Sequence, residues 1–249
     1  NMSKRNKQQV VEDRWNKKYS QGKVRDEEGK FLEEIKPPVK PKNDVQREFL
    51  DALNDSQYSV VCFSAPAGVG KSFLAMSTVS DWLKKGIIDK IALSRAVIPM
   101  GRSLGMLPST LQQKFEPYLM PLLEVLWKRY GKNYYNYALS KGLIELLPPE
   151  YARGRSIESV FIIDECQSLY PDEMYTMLTR LEEGGKLILL GDAKQSDIKG
   201  ENGIDWLCKF VDNNKDLQKH VKVIRASSDD IVRGGLCKAA VKAKEQEYK

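Results

Sequence analysis

The stretch SAPAGVGKSFLA, residues 64–75, decides how the rest of the chain is read. It follows an apolar run, YSVVCF (residues 58–63), and leads into residues 71–85, which read as a helix. Strand, glycine-rich turn and helix in that order build an anion cradle, because successive backbone N–H groups turn inward toward the space that the helix N-terminus faces. In the pattern G-x-x-x-x-G-K-[ST], Gly70 is the second glycine, Lys71 the lysine and Ser72 the hydroxyl, while Ala65 stands at the first position. Lys71 is expected to reach the β- and γ-phosphates of a nucleotide, and Ser72 to ligate magnesium. The whole loop, Pro66, Ala67, Gly68, Val69, Gly70, Lys71, Ser72 and Phe73, is the expected cradle.

Two acids complete this chemistry further along. VFIIDECQ places Asp164 and Glu165 at the end of an apolar strand, with Asp164 the expected magnesium ligand and Glu165 the expected general base. Adjacent carboxylates repel unless a cation lies near, which favours a metal site over a solvated strand end. GDAKQSD follows another apolar strand and brings Asp192 and Gln195 to a strand's C-terminal edge, where ligands collect in open α/β sheets. Gln195 is expected to sense the γ-phosphate, the alternative being a loop that only caps a helix.

Between these motifs, apolar strands alternate with amphipathic helices, which predicts an α/β fold: a mainly parallel sheet flanked by helices on both faces. Strands are expected at residues 90–94, 159–164, 186–192 and 220–226, and helices at residues 111–130, broken by Pro117 and Pro121, at 171–183 and at 228–244. With 249 residues, 41% hydrophobic and 30% charged, the chain has room for one such core. Residues 1–43 lack apolar periodicity, end in the proline-rich IKPPVKPKN, and hold 12 Lys/Arg against 7 Asp/Glu, so most of the net charge of +6 sits there. They are expected to form a flexible basic arm and linker, with the ATPase-like domain over residues 44–249. No run approaches the roughly 18 apolar residues of a membrane span, so no membrane partner and a cytoplasmic location are expected. Four scattered cysteines and the single His220 suggest neither a zinc site nor a disulfide framework.

The succession APAGVGKSFLA, SRAVIPMGRSLGMLP, KFEPYLMPLLEVL, ARGRS, VFIIDECQ, MLTRL, GDAKQSDI and DDIVRGGL resembles the PhoH family of phosphate-loop ATPases, related to the ATPase core of superfamily 1 helicases. The resemblance spans roughly residues 45–245. It implies that Gln46 contacts adenine and favours ATP over GTP, and that Gln167 couples the metal site to the rest of the machine. It also implies that Arg180 or Arg233 brings positive charge to the γ-phosphate, in cis or from a neighbouring subunit, and that six subunits form a ring. The chain departs from the family pattern at Ala65 and Ser72, where Gly and Thr are common, at Ala96, where Pro is, and at Gly234 and Gly235, where a His-Pro pair follows the late arginine. The first two substitutions preserve the chemistry.

Nucleic-acid contact is expected at Arg95, Arg102, Arg153 and Arg155, whose forked cations suit phosphates. LWKRYGKNYYNYALSKG interleaves Trp127, Tyr130, Tyr134, Tyr135 and Tyr137 with basic residues, which fits either stacking platforms for a strand or a helix whose rings turn inward. The reading is an ATP- and magnesium-dependent ATPase coupled to RNA or single-stranded DNA as a homo-oligomeric ring. The alternatives are a nucleotide-gated assembly with slow hydrolysis and a small-molecule kinase.

Overall fold

The computed structural model describes residues 36–96, 115–152 and 154–247. One sheet holds β1 (Val60–Ser64), β2 (Ile91–Arg95), β3 (Ile144–Leu146), β4 (Val160–Asp164), β5 (Lys186–Gly191) and β6 (Val221–Arg225), in the order β3-β2-β4-β5-β1-β6. All pairings are parallel, so the loops that follow the strands gather at one edge, as the sequence predicts for an α/β fold. The helices are α1 (Asp44–Asn54), α2 (Lys71–Lys84), α3 (Met120–Ser140), α4 (Pro149–Ala152), α5 (Pro171–Thr179), α6 (Gly203–Asp212) and α7 (Gly235–Glu247).

Side chains alternate across the sheet, which is why it carries two cores. Val61, Phe63, Ile162, Ile188 and Leu190 join Phe49, Leu74, Trp82 and Leu122 on the face covered by α1, α2 and α3. Val60, Cys62, Phe161, Leu187 and Leu189 join Met174, Met177, Ile204 and Leu207 under α5 and α6. Both faces of β4 and β5 are buried, which accounts for their unbroken apolar runs. Pairing places Ser64 opposite Gly191 and Arg95 opposite Asp164, so the phosphate loop, the acids and the GDAKQ loop leave the sheet side by side.

Several elements differ from expectation. Of the expected helix over residues 111–130, residues 111–114 lie outside the described residues; a 3₁₀ turn (Glu116–Leu119) leads into α3, which runs on to Ser140 with a break at Gly131, whose φ is 83°. Of its five aromatics, Tyr130 and Tyr135 are buried and Trp127 and Tyr134 lie against the core, leaving Tyr137 exposed; the inward-turned reading holds for most of the rings. The expected helix over residues 228–244 is two pieces, a 3₁₀ turn (Ser228–Asp230) and α7, because a Ser227–Asp230 capping box closes the first and the segment between them is drawn onto the phosphate loop. The expected helix over residues 171–183 stops at Thr179, and Leu181 instead bridges Ile157.

The proline-rich end of the expected linker lies against the domain. Arg129 donates to the Pro37 carbonyl at 2.7 Å while its guanidinium holds buried Asp81 at 2.5 Å. Val39 packs against the first core, and Lys42 donates its N–H to the Gln46 side chain at 2.7 Å.

Candidate nucleotide site

The cradle forms where β1 meets α2. Gly68 and Gly70 have φ of 88° and 97°, a left-handed region that glycine adopts without steric cost. A Cβ at Gly68 would lie 2.9 Å from Cys237 Sγ and 3.1 Å from Arg233 Cβ, so this turn is also a docking point for the C-terminal segment. The N–H groups of Val232 and Arg233 both donate to the Gly68 carbonyl at 3.2 Å. From the other side, buried Gln46 donates to the Val69 carbonyl at 2.8 Å. With Nε2 on Val69 and Oε1 on Lys42, Gln46 ties the segment before α1 to the loop, and one amide hydrogen and one oxygen lone pair remain for a base.

A cavity of ≈ 450 Å³ opens above the loop, lined by Lys40, Lys42, Gln46, Lys71, Ser72, Phe73, Asp164, Glu165 and Arg233 among others. Lys71 Nζ donates to the carbonyls of Ala65 and, at 3.2 Å, Pro66. Burial lowers its pKa, against the pull of Asp192, Asp164 and Glu165. Asp164 is buried 3.5 Å from the Ser72 hydroxyl, and burial together with the Glu165 charge pushes its carboxyl up to about 6, while Arg95 and Lys71 work the other way. A buried ammonium that an anion would stabilise thus shares one cavity with a buried carboxyl that a cation would stabilise. Such a pair suits an anion and a cation bound together. Among the described residues, no group of three or more His, Cys, Asp or Glu could hold a metal ion.

Glu165 is the one non-glycine residue with positive φ among the described residues, at φ 53° and ψ 38°, a conformation that costs free energy and is held by its surroundings. Its carboxylate accepts from Arg95 at 3.2 Å and from Gln167 Nε2 at 2.6 Å. Gln167 is itself buried, and its Oε1 accepts from the Asp192 N–H at 3.1 Å. One side chain therefore joins the second acid to the backbone of the GDAKQ loop.

The other expected residues are spread more widely. Gln195 is exposed on a 3₁₀ turn (Ala193–Gln195) after buried Asp192, at the same sheet edge but outside the cavity lining. Arg180 is exposed, and its carbonyl accepts from Ile157 ahead of β4, which puts it at the sheet end opposite the cradle. Arg155 pairs with Glu145 of edge strand β3 at 2.5 Å. Arg102 and Arg153 lie outside the described residues. Arg95 faces the acids, with Asp164 4.0 Å away. Lys40 and Lys42 were missed by sequence reasoning; the signal was the KPKN run immediately before the Gln46 helix.

The parallel sheet, the glycine cradle after β1 and the acid pair at the end of β4 define a phosphate-loop fold. The family model described as PhoH-like protein matches residues 38–245, and the chain belongs to that family. It is 34% identical over 210 residues to a PhoH-like protein of Bacillus subtilis, covering 81% of this chain and 62% of that one. It is 32% identical over 212 residues to the protein PhoH of Escherichia coli, covering 83% and 58%. The chain therefore spans about 60% of the length of these curated relatives. Among solved structures, the Hef helicase domain of Pyrococcus furiosus matches with a TM-score of 0.40 at 14% identity, over 76% of this chain and 40% of that one. Among the described residues no helix is long and apolar enough to cross a membrane.

Proposed function

We propose that this chain is a magnesium-dependent ATPase that couples hydrolysis to RNA or single-stranded DNA and works as a homo-oligomeric ring of six subunits. The observation that carries the ATPase part of this reading is the meeting, in one cavity beside the glycine loop, of Lys71, Ser72, Asp164 and Glu165. Lys71 exchanges its two loop carbonyls for phosphate oxygens, and the loop N–H groups supply the rest of the anion site. Ser72 and Asp164 would hold magnesium, which when bound neutralises phosphate charge. Glu165, which lines the cavity from a strained backbone, takes the proton of the attacking water. Gln167 relates the position of that carboxylate to the GDAKQ loop, through which Gln195 reports on the γ-phosphate.

Arg233 lines the cavity and supplies positive charge in cis. Arg180, at the far end of the sheet, serves only a neighbouring subunit's site, which is the form the ring proposal takes for this residue. Adenine sits toward Gln46 and Phe73, and the Lys40 and Lys42 side chains close that side. The test is phosphate release from ATP, with and without magnesium and single-stranded RNA or DNA, using Glu165→Gln protein as the blank. Magnesium-dependent release that a strand accelerates is expected. Transfer of the γ-phosphate to an acceptor, with no free phosphate, would replace this reading with a kinase.

A further inference from the structure

Arg95 ends β2 with its side chain 22% exposed, and its guanidinium has two partners besides Asp164. Nη2 donates to Glu165 Oε1 at 3.2 Å, and Nη1 to the Tyr118 carbonyl at 3.2 Å. Tyr118, 42% exposed, belongs to the 3₁₀ turn (Glu116–Leu119) that leads into α3, and its ring stacks on Phe115 with centroids 6.0 Å apart. A forked cation bonded to the backbone of an exposed aromatic residue brings together the two kinds of group that a single strand uses, one for a backbone phosphate and one for a base. Here the same cation also holds the carboxylate assigned as general base.

We propose that the Arg95–Tyr118 corner is where a single nucleic-acid strand acts on hydrolysis. A backbone phosphate takes the guanidinium from Glu165 while a base stacks on Tyr118. Without a strand, Arg95 holds Oε1 and Gln167 holds Oε2, so the carboxylate is occupied on both sides. With a strand, one anionic partner of the guanidinium replaces another, and Oε1 turns to the water. The exchange is balanced in charge and forms no covalent bond. Arg95 is a positioning residue in this scheme, and the scheme rests on Glu165 being the base.

The experiment compares wild type, Arg95→Gln, Arg95→Lys and Tyr118→Ala, using phosphate release and fluorescence binding of a single-stranded oligonucleotide, with thermal unfolding to confirm that each is folded. Arg95→Gln should release phosphate about three- to tenfold faster than wild type without a strand, the effect of removing one partly screened charge contact, and gain nothing further from the strand. Arg95→Lys, which keeps the charge, should restore part of the restraint. Tyr118→Ala should bind the oligonucleotide about tenfold more weakly, within the range for losing one stacked base. A strand-free rate in Arg95→Gln below wild type would show that Arg95 supports the base and would overturn the proposal. So would full stimulation of Arg95→Gln by the strand, or a wild type indifferent to it. Failure of the underlying reading looks different: Glu165→Gln would then hydrolyse ATP as fast as wild type. Magnesium dependence of nucleotide binding gives a readout apart from turnover. Removing a cation 4.0 Å from Asp164 should raise nucleotide affinity in magnesium and lower it in EDTA, a split that simple loss of structure does not produce.

Discussion

Two lysines, Lys71 half-buried and Lys186 buried, make nearly the same contacts at opposite ends of the sheet. Lys71 donates to the carbonyls of Ala65 and Pro66, and Lys186 to those of Leu53 and Asp55. Burial lowers the pKa of both, that of Lys186 to about 8. Lys71 lies at the N-terminus of α2, lines a cavity and is surrounded by Asp192, Asp164 and Glu165. Lys186 closes the C-terminal end of α1, where unpaired carbonyls favour a cation, and its Nζ lies over the Trp82 ring, 5.9 Å from the centroid. The same side chain lines an open cavity in one place and caps a helix in the other. What differs is the open volume beside it.

The largest effect that breaks this comparison is Lys71→Ala. It should weaken magnesium-nucleotide binding by about 10- to 100-fold, the range for losing hydrogen bonds from a charged donor, and calorimetric titration reads it directly. Unchanged affinity would mean that the cavity is not a phosphate site. Next comes Glu165→Gln, expected to bind nucleotide like wild type but to hydrolyse it about 10²- to 10⁴-fold more slowly, as single-turnover quench measurements would show.

Lys186→Met is expected to leave nucleotide affinity within about twofold of wild type, because the contact of Lys186 with α1 plays no part in the anion site. Its signature is in stability. The folded-state pKa lies below that of the unfolded chain, so the stability linked to Lys186 is full above pH 10.5 and is lost as pH falls from 10.5 toward about 8. Denaturant melts across that window should show wild type gaining stability with rising pH more steeply than Lys186→Met; parallel curves would contradict the assignment. Smallest of all, Arg155→Ala removes a half-exposed pair with Glu145 and should cost less than about 1 kcal/mol by the same melts.

These contrasts also mark how far the sequence could be read. The cradle, Asp164 and Glu165 were legible because their chemistry is local: each is a short run attached to an apolar strand of recognisable composition. Buried strands β1, β4 and β5 were legible for the same reason. β3 was not, since three residues in GLIELLPP carry no periodicity and pair only with β2. α6 was missed because the turn-like GENG precedes it, although Asn202 caps it and its apolar residues recur at helical spacing. The final segment was read as one helix because local composition does not reveal that two N–H groups would be drawn to the Gly68 carbonyl, more than 160 residues earlier in the chain. Arg95 was recognised as a cation for phosphates, but its grip on Glu165 depends on a strand register linking residues 95 and 164, which only the fold supplies.

The most direct test of the account is to mix wild type and Glu165→Gln separately with radiolabelled ATP and magnesium, isolate the protein rapidly and identify the nucleotide it holds. The account predicts ADP on wild type and intact ATP on the variant. ATP retained unchanged by both would contradict hydrolysis, and ADP on both would remove Glu165 from the role of base.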